Sequence, residues 1–230
     1  MTATLSATRA MREATQTVPI VFVQLVDPVA GGIMPNLARP EANVTGFMLY
    51  EPSLAGKWLS LLKDMVPRLG RGALLHSGDA GMWMPTAKEA GERLALKVTA
   101  VNVLNRTELE SVVAAMAGGD DGGLVLLPNI FNFTNRAATI ALAAKYRVPA
   151  IYVARTYAAE GGLMSYGADA KAQYRDGATY VDRILRGAKL TELPVQFATK
   201  FEFVINLKTA KALDLDVSQQ LQFLADEVIE

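Results

Sequence analysis

Short apolar, β-branched runs alternate along this chain with stretches whose apolar residues recur every three to four positions, the pattern of a parallel α/β architecture. The runs predict strands at Ile20 to Leu25, Val44 to Phe47, Gly72 to His76, Lys97 to Val103, Gly123 to Leu127, Ala150 to Val153 and Gly162 to Ser165, then one long extended piece from Val195 to Ile205. Several are apolar on both faces, as strands buried between helix layers must be. Leu54, Trp58, Leu61, Leu62 and Met65 share a helix face, with Ser53 placed to cap its start and Pro67 to stop it. Tyr174, Ala178, Val181 and Leu185 make a second face, ended by Gly187. Met1 to Ala14 reads as a polar, alanine-containing helix.

Composition removes whole classes of function. At 230 residues, 51% hydrophobic and 20% charged, the chain can pack one large domain or two small ones. Its 23 basic and 23 acidic side chains cancel and no segment concentrates one sign, which argues against nucleic acid or an anionic membrane as partner. The lack of cysteine excludes disulfides and thiolate metal sites, and the single histidine excludes motifs that need two. The longest apolar run, Val18 to Val26, is broken by Pro19 and Gln24 and falls well short of the roughly 20 residues a spanning helix needs. Neither G-x-G-x-x-G nor G-x-x-x-x-G-K occurs, so the usual nucleotide loops are missing. Ser60-Leu61-Leu62-Lys63 has the spacing of acyl-serine enzymes but sits in mid-helix without their partner motif, and His76 at a strand end reads as structural. No catalytic residue, metal or cofactor is expected.

Open α/β sheets bind ligands outside the carboxyl ends of their strands, where loops lead into helix N-termini. Five such loops are in view: Asp27-Pro28-Val29, Thr45-Gly46, Ser77-Gly78-Asp79, Asn129 to Asn132, and Ser165-Tyr166-Gly167. Asp27 is either the counter-charge for a ligand ammonium group or the cap of a turn with Pro28. Thr45 and Gly46 offer a hydroxyl and an unobstructed N–H to a carboxylate, or form a strand-end turn. Asn129, Phe131 and Asn132 supply amides and an aromatic wall, or a helix cap and core packing. Beside Ser165, the other candidate of this loop, Tyr166 stacks on or hydrogen-bonds a ligand, or is a hinge aromatic packed between lobes.

The order of several motifs carries more than any one of them. Val18-Pro19-Ile20-Val21-Phe22-Val23, Asp27-Pro28-Val29, Leu37-Ala38-Arg39-Pro40 and Asn43-Val44-Thr45-Gly46 lie in the front half. Gly161-Gly162-Leu163-Met164-Ser165-Tyr166-Gly167, Tyr180-Val181-Asp182-Arg183-Ile184-Leu185-Arg186-Gly187 and Val204-Ile205-Asn206-Leu207-Lys208-Thr209-Ala210 follow, and the chain closes on Ala225-Asp226-Glu227-Val228-Ile229-Glu230. This order resembles the substrate-binding proteins of ABC transporters, in the family that includes the tryptophan and tyrosine binders. The resemblance implies two Rossmann-like lobes with parallel sheets, the type I periplasmic binding plan: lobe I from 1–48 and 165–198, lobe II from 49–164 and 199–230, with crossings near 49–52, 165–168 and 199–202. It implies capture of a small carboxylate-bearing solute, an aromatic amino acid above all, between the lobes without chemistry, an ABC permease as partner and a periplasmic location. Proteins of that kind begin with an export signal and several strand–helix units before the counterpart of Val18, about 80 to 100 residues that are not found here, so lobe I is expected to be truncated. Its unpaired strand edge then invites non-native self-association. A ligand-sensing module of the same fold and an inactive remnant are the alternatives.

Overall fold

The computed structural model describes residues 1–37 and 43–230, so most of the Leu37-Ala38-Arg39-Pro40 motif lies outside the described residues. The chain runs α1 (Leu5–Ala14), β1 (Ile20–Leu25), β2 (Val44–Met48), α2 (Leu54–Met65), β3 (Arg71–His76), α3 (Met84–Leu94) and β4 (Lys97–Asn102). It continues through α4 (Arg106–Met116), β5 (Gly122–Leu126), α5 (Ile130–Thr134), α6 (Arg136–Lys145), β6 (Ala150–Tyr152), α7 (Arg155–Ala159) and β7 (Met164–Ala168). The last elements are α8 (Ala170–Leu185), β8 (Gln196–Phe197), β9 (Phe201–Asn206), α9 (Leu207–Ala212), α10 (Gln219–Leu224) and β10 (Glu227–Ile229). They fall into two compact units, residues 1–51 with 168–201 (unit 1) and 52–167 with 202–230 (unit 2).

Unit 1 is built on a three-stranded sheet of order β1-β2-β8, with both pairings parallel. Alternation along β1 sends Ile20, Phe22 and Leu25 into a cluster with Ile33 and Met34, and Val21 and Val23 into one with Tyr180 and Leu193. Tyr180 comes from α8, whose start is capped by Asp169 accepting from the N–H groups of Lys171 and Ala172. Its ring lies 4.6 Å from that of Phe47, and its hydroxyl donates to Pro194 O at 2.8 Å. The outer edge of β1 is not bare: Thr2 N donates to Val21 O and Thr2 O accepts from Val23 N. That bridge covers part of the edge that the sequence leaves open.

Unit 2 is a seven-stranded sheet of order β10-β9-β7-β6-β5-β3-β4, whose registered pairs are all parallel. Ala73, Leu75, Leu124, Leu126, Ala150 and Tyr152 face Leu109, Val113 and Met116 of α4, Ala143 of α6 and Tyr157 of α7. Helix α2 packs on the other side, where Leu62 of the foreseen face reaches Gly123 and Leu59, which that face did not include, reaches Gly72. Two expectations need correction. The extended piece from Val195 to Ile205 is broken into β8 and β9, because its first part pairs with β2 in unit 1 and its second with β10 in unit 2. The strand expected at Gly162 to Ser165 is shifted to Met164–Ala168; Gly161 turns at φ 106°, and at Gly162 a Cβ would lie 2.6 Å from the Tyr152 ring.

Candidate functional site

In unit 2 the carboxyl ends of β3, β5, β6 and β7 open onto one edge of the sheet, the position that a ligand takes in this architecture. The loop after β3 is fixed locally: His76 Nδ1 lies 2.9 Å from Gly78 O, and Gly78 N–H donates to Asn102 Oδ1 at the end of β4. After β5, Asn129 caps α5 by accepting from Asn132 N–H at 2.8 Å and donates its own amide to Leu127 O at 3.1 Å. Asn132 lies inside, donating to Leu75 O at 2.9 Å and Leu127 O at 2.8 Å, so one amide ties the ends of β3 and β5 together. Its Oδ1 is buried without a partner, a cost borne by the fold at this edge. Phe131 packs on the core beside α4 and α6 and is not the open aromatic wall expected of it.

At β7, Ser165 is fully buried and its hydroxyl has no partner. Any part it plays lies beneath the surface. Tyr166 is half-buried, with Lys57 Nζ 5.6 Å from its ring centroid and the Phe203 ring edge-on at 6.3 Å. Its carbonyl accepts from Trp58 Nε1 at 2.7 Å, so a helix residue that the sequence marks only as apolar fixes the strand just before the chain leaves unit 2. Beyond β6, Tyr152 and Tyr157 stack at 4.9 Å. Burial raises both phenols, Tyr157 to about 12, so neither ionises at physiological pH.

In unit 1 the corresponding loop follows β1. Gln24 adopts φ 60° and the β1–β2 register shifts between Phe22 and Leu25, a bulge at the carboxyl end of the strand next to Asp27. A glutamine within an apolar run is the only hint of it in the sequence. Asp27 Oδ1 accepts from Val29 N–H at 3.0 Å and Ala30 N–H at 2.9 Å, which makes the carboxylate the cap of its turn with Pro28. No hydrogen bond among the described residues goes to its second oxygen. Thr45 is fully buried and donates to Leu193 O at 2.5 Å, so its hydroxyl ties an internal loop and is not offered to a ligand. Gly46 is needed by β1: a Cβ there would lie 2.0 Å from Phe22 O. Gln173, absent from the expected set, is buried and donates to Met48 O at 2.7 Å where β2 ends.

A cavity of about 380 Å³ lined by Arg68, Asp120, Arg147 and Asp214 lies at the opposite, amino-terminal ends of β3, β5 and β6. Its Arg147–Asp214 ion pair is exposed and worth little.

Parallel α/β units with polar loops gathered at their carboxyl edges define the type I periplasmic binding fold. The chain belongs to the ABC transporter substrate-binding protein family, whose family model matches residues 1–229. It is similar to a tyrosine-binding protein of Clostridioides difficile, 23% identical over 90% of this chain, and spans 60% of that relative's length. Among solved structures, a conserved domain protein of Vibrio cholerae superposes with a TM-score of 0.85 at 24% identity, covering 98% of this chain and 76% of the other. An ABC domain from Streptococcus pneumoniae in complex with L-Trp gives 0.84 at 22% identity, covering 99% and 77%.

Proposed function

We propose that this protein is the solute-binding component of an ABC importer and captures a small carboxylate-bearing solute, an aromatic amino acid in the first place. The family match along nearly the whole chain carries the reading. The relatives that bind tyrosine and tryptophan direct it to aromatic amino acids. The chemistry at hand suits such a zwitterion. In unit 1 the second oxygen of Asp27 accepts no hydrogen bond from the described residues and can meet an ammonium group; in unit 2, taken by itself, Asn129 and Tyr166 stand half-buried at the carboxyl edge. Binding proceeds without catalysis, the lone imidazole of His76 being turned onto its own loop. Delivery to a permease places the protein outside the cytoplasmic membrane, in the periplasm.

Calorimetry and thermal shift with a panel of amino acids, sugars and metal ions test this reading. L-Tryptophan or L-tyrosine should raise the melting midpoint, and a shift by a sugar or metal with none from any amino acid would refute it. Asp27 gives a sharper test through two substitutions. Asp27→Asn retains an oxygen to accept from Val29 and Ala30, so stability should hold while affinity falls by about 1.5 to 3 kcal/mol for a lost charge-assisted bond. Asp27→Ala should lose the same affinity and about 1 kcal/mol of stability as well, because the turn amides lose their acceptor. Equal affinity in wild type and Asp27→Asn would remove Asp27 from the site.

A further inference from the structure

Helix α5 is folded inside out. Its polar Asn132 is 1% exposed, whereas Ile130 is 76% and Phe133 55% exposed. The inversion is enforced, since the two carbonyls that Asn132 satisfies and the Asn129 cap fix the rotation of the helix about its axis. Ile130 and Phe133 stand three residues apart and so share the face that remains outward. Scattered exposed apolar residues are ordinary on any surface. This pair differs in place and in preparation. It follows β5, an interior strand of the seven, at the carboxyl edge where the polar candidates lie. The Phe133 ring is also backed: the Arg136 guanidinium lies 5.2 Å from its centroid and is itself held by two hydrogen bonds to Glu160, at 2.7 and 2.8 Å. A cation pinned against one side of a ring orients that ring and leaves the rest of it for a second aromatic group.

We infer that the outward face of α5 is the platform on which the aromatic ring of the solute packs, with Phe133 and Ile130 as the residues that set specificity. The inference rests on the reading that the protein binds an aromatic amino acid, and it moves the aromatic wall from Phe131, which is partly buried against the core, to Phe133. The side chain of Phe133 is more than half exposed, so its removal costs the fold little, while a ring stacked on it in the complex loses its partner.

The test is calorimetry with L-tryptophan, L-tyrosine and L-alanine on wild type, Phe133→Ala, Phe133→Tyr and Ile130→Ala, with melting midpoints recorded alongside. Phe133→Ala should weaken the aromatic ligand about tenfold or more, the equivalent of a lost ring contact plus its buried area, and leave any L-alanine binding unchanged. Phe133→Tyr should keep most of the affinity, and all midpoints should stay near that of wild type. A wild type that binds no amino acid fails the functional reading and this inference together. A wild type that binds aromatic amino acids, with Phe133→Ala and Ile130→Ala equal to it, overturns the inference alone. Unchanged affinity with lost uptake or altered self-association would make the face a protein-docking surface and overturn it as well.

Discussion

Gly46→Ala is expected to unfold unit 1. The added methyl would sit 2.0 Å from Phe22 O and 2.7 Å from Phe22 N, both backbone atoms of the paired strand, so no side-chain rotation relieves the clash. β2 is the middle strand of three, and displacing it breaks its pairing with β1 on one side and β8 on the other. Val44, Phe47 and Met48 would leave their buried positions together. The loss should exceed about 4 kcal/mol, the range reserved for steric failure in a core. Hydrogen exchange by mass spectrometry reads it locally. Ile20–Leu25 and Val44–Met48 should lose protection while Leu124–Leu126 and Arg71–His76 keep theirs. A stable variant with intact protection in β1 that fails only to bind solute would restore the reading of Gly46 as a ligand contact.

That contrast shows where sequence reasoning reaches. The apolar runs of β1, β3 and β5 and the helix face of α2 were legible because burial on both sides of a parallel sheet leaves a continuous signal. The break between β8 and β9 was not, because local propensity reads Val195 to Ile205 as extended and only tertiary pairing assigns its halves to different sheets. The same limit applies at the site. Strand-end loops could be located from spacing alone, yet the direction of each side chain is set by one residue of register. Thr45 points to Leu193 and is spent inside. Within Ile130-Phe131-Asn132-Phe133, nothing local says that the amide turns in and a ring turns out, since that choice is made by two carbonyls, one of them on another strand. The bulge at Gln24 shows in the sequence only as a glutamine within an apolar run, and the bond from Trp58 to the carbonyl of Tyr166 depends on a neighbour far along the chain and leaves no pattern to read.

Asn132→Ala should therefore damage both the fold of unit 2 and its site. The substitution removes one of the donors to Leu75 O and one to Leu127 O; each carbonyl keeps another, from Leu127 N–H and from the Asn129 amide, so the two lost bonds amount to about 1 to 3 kcal/mol. Removing the unpartnered Oδ1 offsets part of that cost, which favours the lower end. With the inner tie gone, α5 is held by its cap from Asn129, the packing of Phe131 and the Arg136 contact on Phe133, so Ile130 and Phe133 gain a way to turn inward. Solute affinity should fall in Asn132→Ala even under conditions where unit 2 remains folded. Asn132→Asp separates donor loss from mere volume. An ionised carboxylate facing two carbonyl oxygens is worse than a methyl, so at neutral pH this variant should be less stable than Asn132→Ala. A buried acid without donors has its folded pKa raised above the unfolded value, so the protonated form favours the fold; stability is recovered as pH falls through that range and lost as pH rises. Chemical denaturation at pH 7 and pH 4.5 checks the order. An Asn132→Asp variant as stable as wild type at neutral pH, with affinity intact, would mean that the amide does not hold α5 in place.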